Sequence, residues 1–255
     1  MTLFSLANKV ALVTGGNGGI GRALALGMQE AGARVAVTGR NADKNRAVAA
    51  ELAQDGAVFV LDVRSEAAVE EVIAAVMARF GRLDILVNNA GIGGGGPMME
   101  MSREDWDDVM AVNLTGSFLC AKHAARAMTA QGRGGKIINI GSMYSMFGPD
   151  SFVDYGASKT AVLGLTRGLA VELAQHNIQV NAILPGWFVT DMTQEIYESD
   201  LGERIRRKTP AGRWGADEDI VGTGVFLASA ASDFVTGTAI PVDGGYLVTD
   251  RFMHG

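Results

Sequence analysis

The chain has a single cysteine in 255 residues, Cys120, so no disulfide can form within it, and a lone thiol suits a reducing, cytosolic compartment. Cys120 falls in a helical pattern with nothing nearby to lower its pKa, so it reads as a buried, inert thiol. No run reaches the roughly 20 apolar residues of a membrane span. The start, Met1 to Lys9, lacks the long apolar core of a signal peptide. Positive charge is not in excess: 22 Lys and Arg against 28 Asp and Glu leave a formal charge of −6, which argues against nucleic acid and anionic membranes as partners. There is no Pro- or Ser-rich linker, internal repeat or break in composition, so residues 1–255 read as one domain. The three histidines, His123, His176 and His254, lie outside every motif below and read as structural or surface groups. No metal site is read.

What is present is an ordinary globular composition, 48% hydrophobic and 20% charged, with 34 glycines that imply many tight turns or close backbone approaches. Short β-branched runs at 10–14, 35–38, 57–61, 83–87, 136–140 and 179–184 alternate with helically spaced apolar residues at 20–31, 43–54, 66–80, 103–129, 155–175 and 217–228. Repeated βαβ predicts an α/β fold, a parallel sheet covered by helices on both faces. Gly32, Gly81 and Asn177 stand where C-terminal helix caps want a residue tolerant of left-handed backbone. Residues 187–214 interrupt the alternation past a strand's C-terminal end, where such sheets bind ligands, and read as a lid.

The 10–14 strand runs into Gly15, Gly16, Asn17, Gly18, Gly19, Ile20 and Gly21 and then a helix, the context of a dinucleotide site. Glycines let the backbone approach a pyrophosphate, and the helix N-terminus offers N–H donors and a positive dipole. The spacing of Gly15, Gly19 and Gly21 is TGxxxGxG rather than GxGxxG. At the end of the second strand, where an NAD site usually offers a carboxylate, stand Gly39, Arg40 and Asn41. A guanidinium can bind a 2′-phosphate bidentately, so NADP is favoured over NAD. The competing reading of Arg40 is a surface arginine or an adenine stack that does not discriminate. After the third strand, Asp62 beside Val63 either accepts from the adenine amine or forms a turn before Ser65. Asn88, Asn89, Ala90 and Gly91 end the fourth strand, where Asn89 either ties adjacent loops or contacts the ligand, and Gly91 admits a ribose or nicotinamide. Pro185 and Gly186 end the sixth strand and Thr190 follows, as a carboxamide cradle or a plain turn. Asn113 interrupts an apolar helix pattern, either holding a water or distorting the helix.

Tyr155 and Lys159 are four residues apart and so share one helix face, with Ser142 thirteen residues upstream of Tyr155. A free phenol titrates near pH 10, so ionising it at neutral pH needs about 4 kcal/mol, which a nearby cation is one of the few ways to supply. Taken alone, the pair also fits a core-capping tyrosine and a solvated lysine.

Together TGGNGGIG, Asp62, NNAG, Asn113, Ser142, YGASK, PG and the late VDGG at 242–245 resemble the classical short-chain dehydrogenase/reductase family over nearly the whole chain. The resemblance implies a single-domain Rossmann fold, a doubly wound seven-stranded parallel sheet. It also implies a homotetramer packed through the helices that carry Asn113 and Tyr155. Carried over, Tyr155 exchanges a proton with the oxygen of an alcohol or ketone substrate while hydride passes to or from the nicotinamide. Lys159 lowers the Tyr155 pKa and binds the ribose, Ser142 hydrogen-bonds the substrate oxygen, and Asn113 positions a relay water. Finer resemblance, in GGKIINIGSM, HNIQVNAILPGW and PAGRWG, points to members acting on sugar acids and polyols. The alternatives are a 3-oxoacyl-thioester reductase and a non-catalytic nucleotide sensor. Arg204, Arg206, Arg207 and Lys208 in the lid read as a solvated face, a carboxylate clamp or a dock for an acidic carrier.

Overall fold

Among the described residues seven strands form: β1 (Val10–Thr14), β2 (Arg34–Gly39), β3 (Ala57–Val60), β4 (Ile85–Asn88), β5 (Gly135–Ile140), β6 (Ile178–Pro185) and β7 (Ala239–Val242). The computed structural model describes residues 3–250. All pairings are parallel, in the order β3-β2-β1-β4-β5-β6-β7. The expected seven-stranded, doubly wound sheet is therefore what forms. His254, at 251–255, lies outside the described residues.

The apolar runs are continuous because the central strands are buried on both faces. In β1, Val10 and Leu12 join one core while Ala11 and Val13 join the other. The first core packs against α3 (Glu66–Phe80), α5 (Gly116–Gln131) and α6 (Val153–Leu173), and the second against α1 (Gly19–Glu30), α2 (Ala42–Glu51) and α9 (Asp217–Ala228). Each fully buried Val, Leu or Ile contributes about 1.5–3 kcal/mol, so these two layers hold the sheet edges in place.

Local signals fix the ends. The Asn41 side chain accepts from the Asp43 and Lys44 amides at the start of α2, and Ser65 accepts from the Ala68 amide at the start of α3. Gly81 (φ 75°) and Asn177 (φ 55°) take the left-handed backbone expected of them. The helix expected over 103–129 is α4 (Arg103–Met110) and α5 joined by a π-turn, Ala111–Thr115, centred on Asn113. Residues 187–214 carry α7 (Gln194–Tyr197) and α8 (Asp200–Lys208). Their anchor is Trp214, whose Nε1 donates to the Gly202 carbonyl at 3.0 Å and whose ring meets Trp187 and Tyr197 at 5.2 and 5.4 Å.

Candidate active site

The strand order reverses between β1 and β4, and the crevice at their C-terminal ends is where an open sheet of this kind takes a ligand. A cleft of about 500 Å³ opens there. Its lining collects residues from the ends of six strands: Gly15, Asn17, Gly19 and Ile20 after β1; Arg40 after β2; Asp62 and Val63 after β3; Asn89, Ala90 and Gly91 after β4; Ser142 after β5; and Pro185, the last residue of β6, with Gly186 and Thr190 after it. Tyr155 and Lys159 reach it from α6.

The glycine loop has the shape a diphosphate requires. Gly15 and Gly19 have φ of +60° and +48°. A Cβ at Gly19 would lie 3.2 Å from Thr190 Cγ2. No side chain caps α1 and no acidic residue occupies its first turn, so its leading amides face the cleft without an internal anion.

Two expected residues stand behind the cleft rather than in it. Gly21 is buried, and a Cβ there would collide with Asn89 Nδ2 and the Gly15 carbonyl, so it lets α1 pack closely on the loop. Asn113 is buried at 1% exposure, and its side chain accepts from the Ile92 amide at 2.9 Å and donates to the Ile92 carbonyl and Ser158 Oγ, both at 3.1 Å. Its carbonyl accepts from Ser117 Oγ at 2.8 Å. Asn113 thus distorts its helix into the π-turn and ties it to the loop after β4 and to α6.

Other side chains line the cleft while serving the scaffold. Asn89 Nδ2 donates to the carbonyls of Thr14 and Gly15 at 3.1 and 3.0 Å, which is the loop-tying role. Asn17 Nδ2 donates to Asn45 Oδ1 at 2.7 Å, and Asn45 Nδ2 to the Gly39 carbonyl at 2.9 Å. Asp62 accepts from the Arg64 amide at 3.0 Å and pairs with its guanidinium at 2.7 Å, which holds the carboxyl below its ordinary range. The Ser65 amide donates to the Asp62 carbonyl at 3.1 Å, so a turn forms there at the edge of the cleft. The Thr190 hydroxyl meets Thr193 Oγ1 at 3.1 Å. Arg40 is exposed at the mouth of the cleft and makes no ion pair among the described residues.

At the inner end, Lys159 is 5% exposed, and its Nζ donates to the Ile140 carbonyl at 2.9 Å and lies 5.6 Å from the Tyr155 ring centroid. Burial pushes the ammonium down to about 8. Burial also raises the Tyr155 phenol, opposed by a hydrogen bond with Ser142. Burial is the larger of these two effects, and the Lys159 hydrogen bond goes to a backbone carbonyl.

A hydrogen-bonded frame surrounds this set. Asn88 Nδ2 donates to Asn139 Oδ1, and Asn139 Nδ2 to Thr166 Oγ1, both at 2.9 Å, joining β4, β5 and α6. Ser145 Oγ donates to the Lys159 carbonyl at 2.7 Å. Asp154, buried at 1%, accepts from the Tyr155 amide at 2.7 Å and the Gly95 amide at 3.2 Å, and a Cβ at Gly94 would strike it. The glycine run 93–96 was the available signal. Tyr144 stands edge-on to Tyr155, Trp187 and Phe147, at 6.2, 6.2 and 5.3 Å between ring centroids. Cys120 is buried with its thiol pushed up to about 12, and buried His123 meets Glu66 Oε1 at 3.0 Å, as the structural readings expected.

The family model described as enoyl-(acyl carrier protein) reductase matches residues 15–247. Gluconate 5-dehydrogenase of Gluconobacter oxydans is 41% identical over 251 residues, 97% of this chain and 98% of that one. The chain belongs to the short-chain dehydrogenase/reductase family. A second relative, 2-dehydro-3-deoxy-D-gluconate 5-dehydrogenase of Dickeya dadantii, is 43% identical over 254 residues, again 97% and 98% of the two chains. The crystal structure of a gluconate 5-dehydrogenase from Burkholderia cenocepacia, in complex with NADP and tartrate, superposes with a TM-score of 0.91 at 40% identity, covering 97% of this chain and 98% of that one. As a short-chain dehydrogenase/reductase the chain is an oxidoreductase, in agreement with the cleft and with Ser142, Tyr155 and Lys159 at its inner end.

Proposed function

We propose that this enzyme interconverts a secondary alcohol and a ketone on a sugar acid, with NADP as its preferred cofactor. The observation that carries the reading is the convergence of Ser142, Tyr155 and Lys159 on a cleft whose mouth holds Arg40 and no carboxylate after β2. Its relatives named for gluconate and deoxygluconate oxidation support the substrate class, and the NADP-bound relative supports the cofactor. Bound NADP supplies the hydride acceptor in oxidation, and its reduced form the donor in reduction. Tyr155 takes the hydroxyl proton as phenolate in oxidation and returns it as phenol in reduction. Ser142 hydrogen-bonds both the phenol and the reacting oxygen, and Lys159 holds the ribose and places positive charge beneath Tyr155. Asn113 acts behind them as a positioning residue.

The segment 187–214 serves as a lid, and its cations divide in a way that favours an acidic substrate. Arg206 and Arg207 both pair with Glu203, and Arg213 pairs with Asp219. Lys208 meets no carboxylate among the described residues; its Nζ lies 4.0 Å from the Tyr246 ring centroid and 5.7 Å from that of Phe147, on the aromatic wall that continues through Tyr144 to Tyr155. A carboxylate would complete that site. Cytosolic action is proposed from the unpaired Cys120. A homotetramer through α5 and α6 is supported by the exposed apolar Phe118, Val153 and Val171, and sedimentation would test it.

Activity with gluconate, ketogluconates, polyols and acetoacetyl thioesters, followed by nicotinamide absorbance with both cofactors, tests the reading. Turnover of the sugar acids with NADP(H) is expected. Activity confined to thioesters would replace it with acyl reduction, and binding without any turnover with the nucleotide sensor.

A further inference from the structure

The residue four places after Arg40 crosses the cleft. Lys44 sits in the first turn of α2, and its Nζ lies 4.0 Å from where a Cβ of Gly18 would stand. From there it reaches Asp191 Oδ2 at 2.5 Å, in the segment 187–214. Lys44 and Asp191 both line the cleft, as does Arg40, so the ion pair bridges its mouth above the glycine loop. The pair is exposed, with side-chain accessibilities of 47% and 78%, and such pairs contribute little, so a stronger anion can displace the carboxylate. A phosphate monoester carries close to two negative charges and three acceptor oxygens, against one charge on Asp191. The glycine loop itself offers no cation at Gly18, which leaves Lys44 as the ammonium beside Arg40.

We propose that Lys44 is a second cation for the ribose 2′-phosphate of NADP, held by Asp191 until the cofactor arrives. Transfer of the ammonium from carboxylate to phosphate frees the Asp191 end of the lid, so the group that distinguishes NADP from NAD also releases the segment over the substrate side. The proposal rests on the reading that NADP is the cofactor bound. It makes Lys44 a determinant of cofactor choice and Asp191 its competitor.

Binding of NADPH and NADH, followed by nicotinamide fluorescence on the full chain, tests this without turnover. Lys44→Ala should weaken NADPH about tenfold and leave NADH within about twofold, because only NADPH carries the phosphate that replaces the lost partner. Asp191→Asn should tighten NADPH several-fold, and that gain should vanish when Lys44→Ala is added. Equal weakening of both cofactors by Lys44→Ala would overturn the assignment in favour of a diphosphate contact. Unchanged NADPH binding, or tighter binding of both, would overturn it in favour of a passive surface pair. A wild-type protein that binds NADH more tightly than NADPH would instead defeat the NADP reading, while the effect of Lys44→Ala on NADPH would still decide the role of Lys44.

Discussion

Lys159→Met should make the protein more stable and less active. Lys159 is buried, and desolvation takes its pKa from 10.5 to about 8. At about 1.36 kcal/mol per pH unit, keeping the ammonium charged in that position costs about 3 kcal/mol. Methionine fills similar volume without a charge, but it leaves the Ile140 carbonyl without its 2.9 Å donor, an offset of about 1 kcal/mol. The net gain near pH 7 is therefore about 2 kcal/mol, read as a shift of the urea midpoint at constant slope. Because the folded pKa lies below the unfolded one, the unfolded chain binds more protons between about pH 8 and 10.5, and wild-type stability rises across that window. The advantage of the variant is full below about pH 8 and shrinks toward pH 10.5. A variant less stable than wild type near pH 7, or a gain independent of pH, would refute the reasoning and show that Lys159 is neither strained nor desolvated in the fold.

Three further expectations concern the frame behind the site, the Tyr155 phenol and the core. Thr166→Val keeps shape but strips Asn139 Nδ2 of its acceptor inside the β5–α6 contact, so stability should fall by about 1–3 kcal/mol in urea denaturation; an unchanged midpoint would contradict the proposed frame. Ser142→Ala removes the hydrogen bond that opposes burial at Tyr155, so its pKa should rise further. Alcohol oxidation, which needs the phenolate, should then require more alkaline pH than in wild type, and a pH–rate profile of kcat/KM shifted to the acid side would count against that. Cys120, pushed up to about 12, should resist a thiol reagent in the native protein and react once unfolded, so rapid native labelling would contradict its burial.

The sheet was legible because its central strands are buried on both faces and so read as unbroken β-branched runs. β7 entered only through the family resemblance: Ala239–Val242 is four residues long and contains Pro241, tolerable because this is an edge strand. The cleft residues were legible wherever chemistry depends on local spacing, as in the glycine loop and the four-residue step from Tyr155 to Lys159. What was illegible depends on contacts through space. Nothing near Lys44 announces Asp191, 147 positions away. The charge run in α8 could not show that Glu203 takes Arg206 and Arg207 and leaves Lys208 over Tyr246. Asn113 and Gly21 make their contacts with the scaffold behind the cleft, partners that no local spacing announces. Spacing brings a cation to the same helix face, but only the folded structure shows that Lys159 is buried and donates to the Ile140 carbonyl.

The central claim is that Tyr155 moves a proton in step with hydride transfer on a sugar acid. It is tested most directly by single-turnover reduction of a ketogluconate by NADPH in wild type and Tyr155→Phe, with cofactor binding measured separately. The account predicts NADPH affinity within a few-fold of wild type and a hydride-transfer rate reduced by about 10²–10⁴, the usual contribution of a positioned acid or base. A Tyr155→Phe enzyme that transfers hydride at the wild-type rate would contradict it.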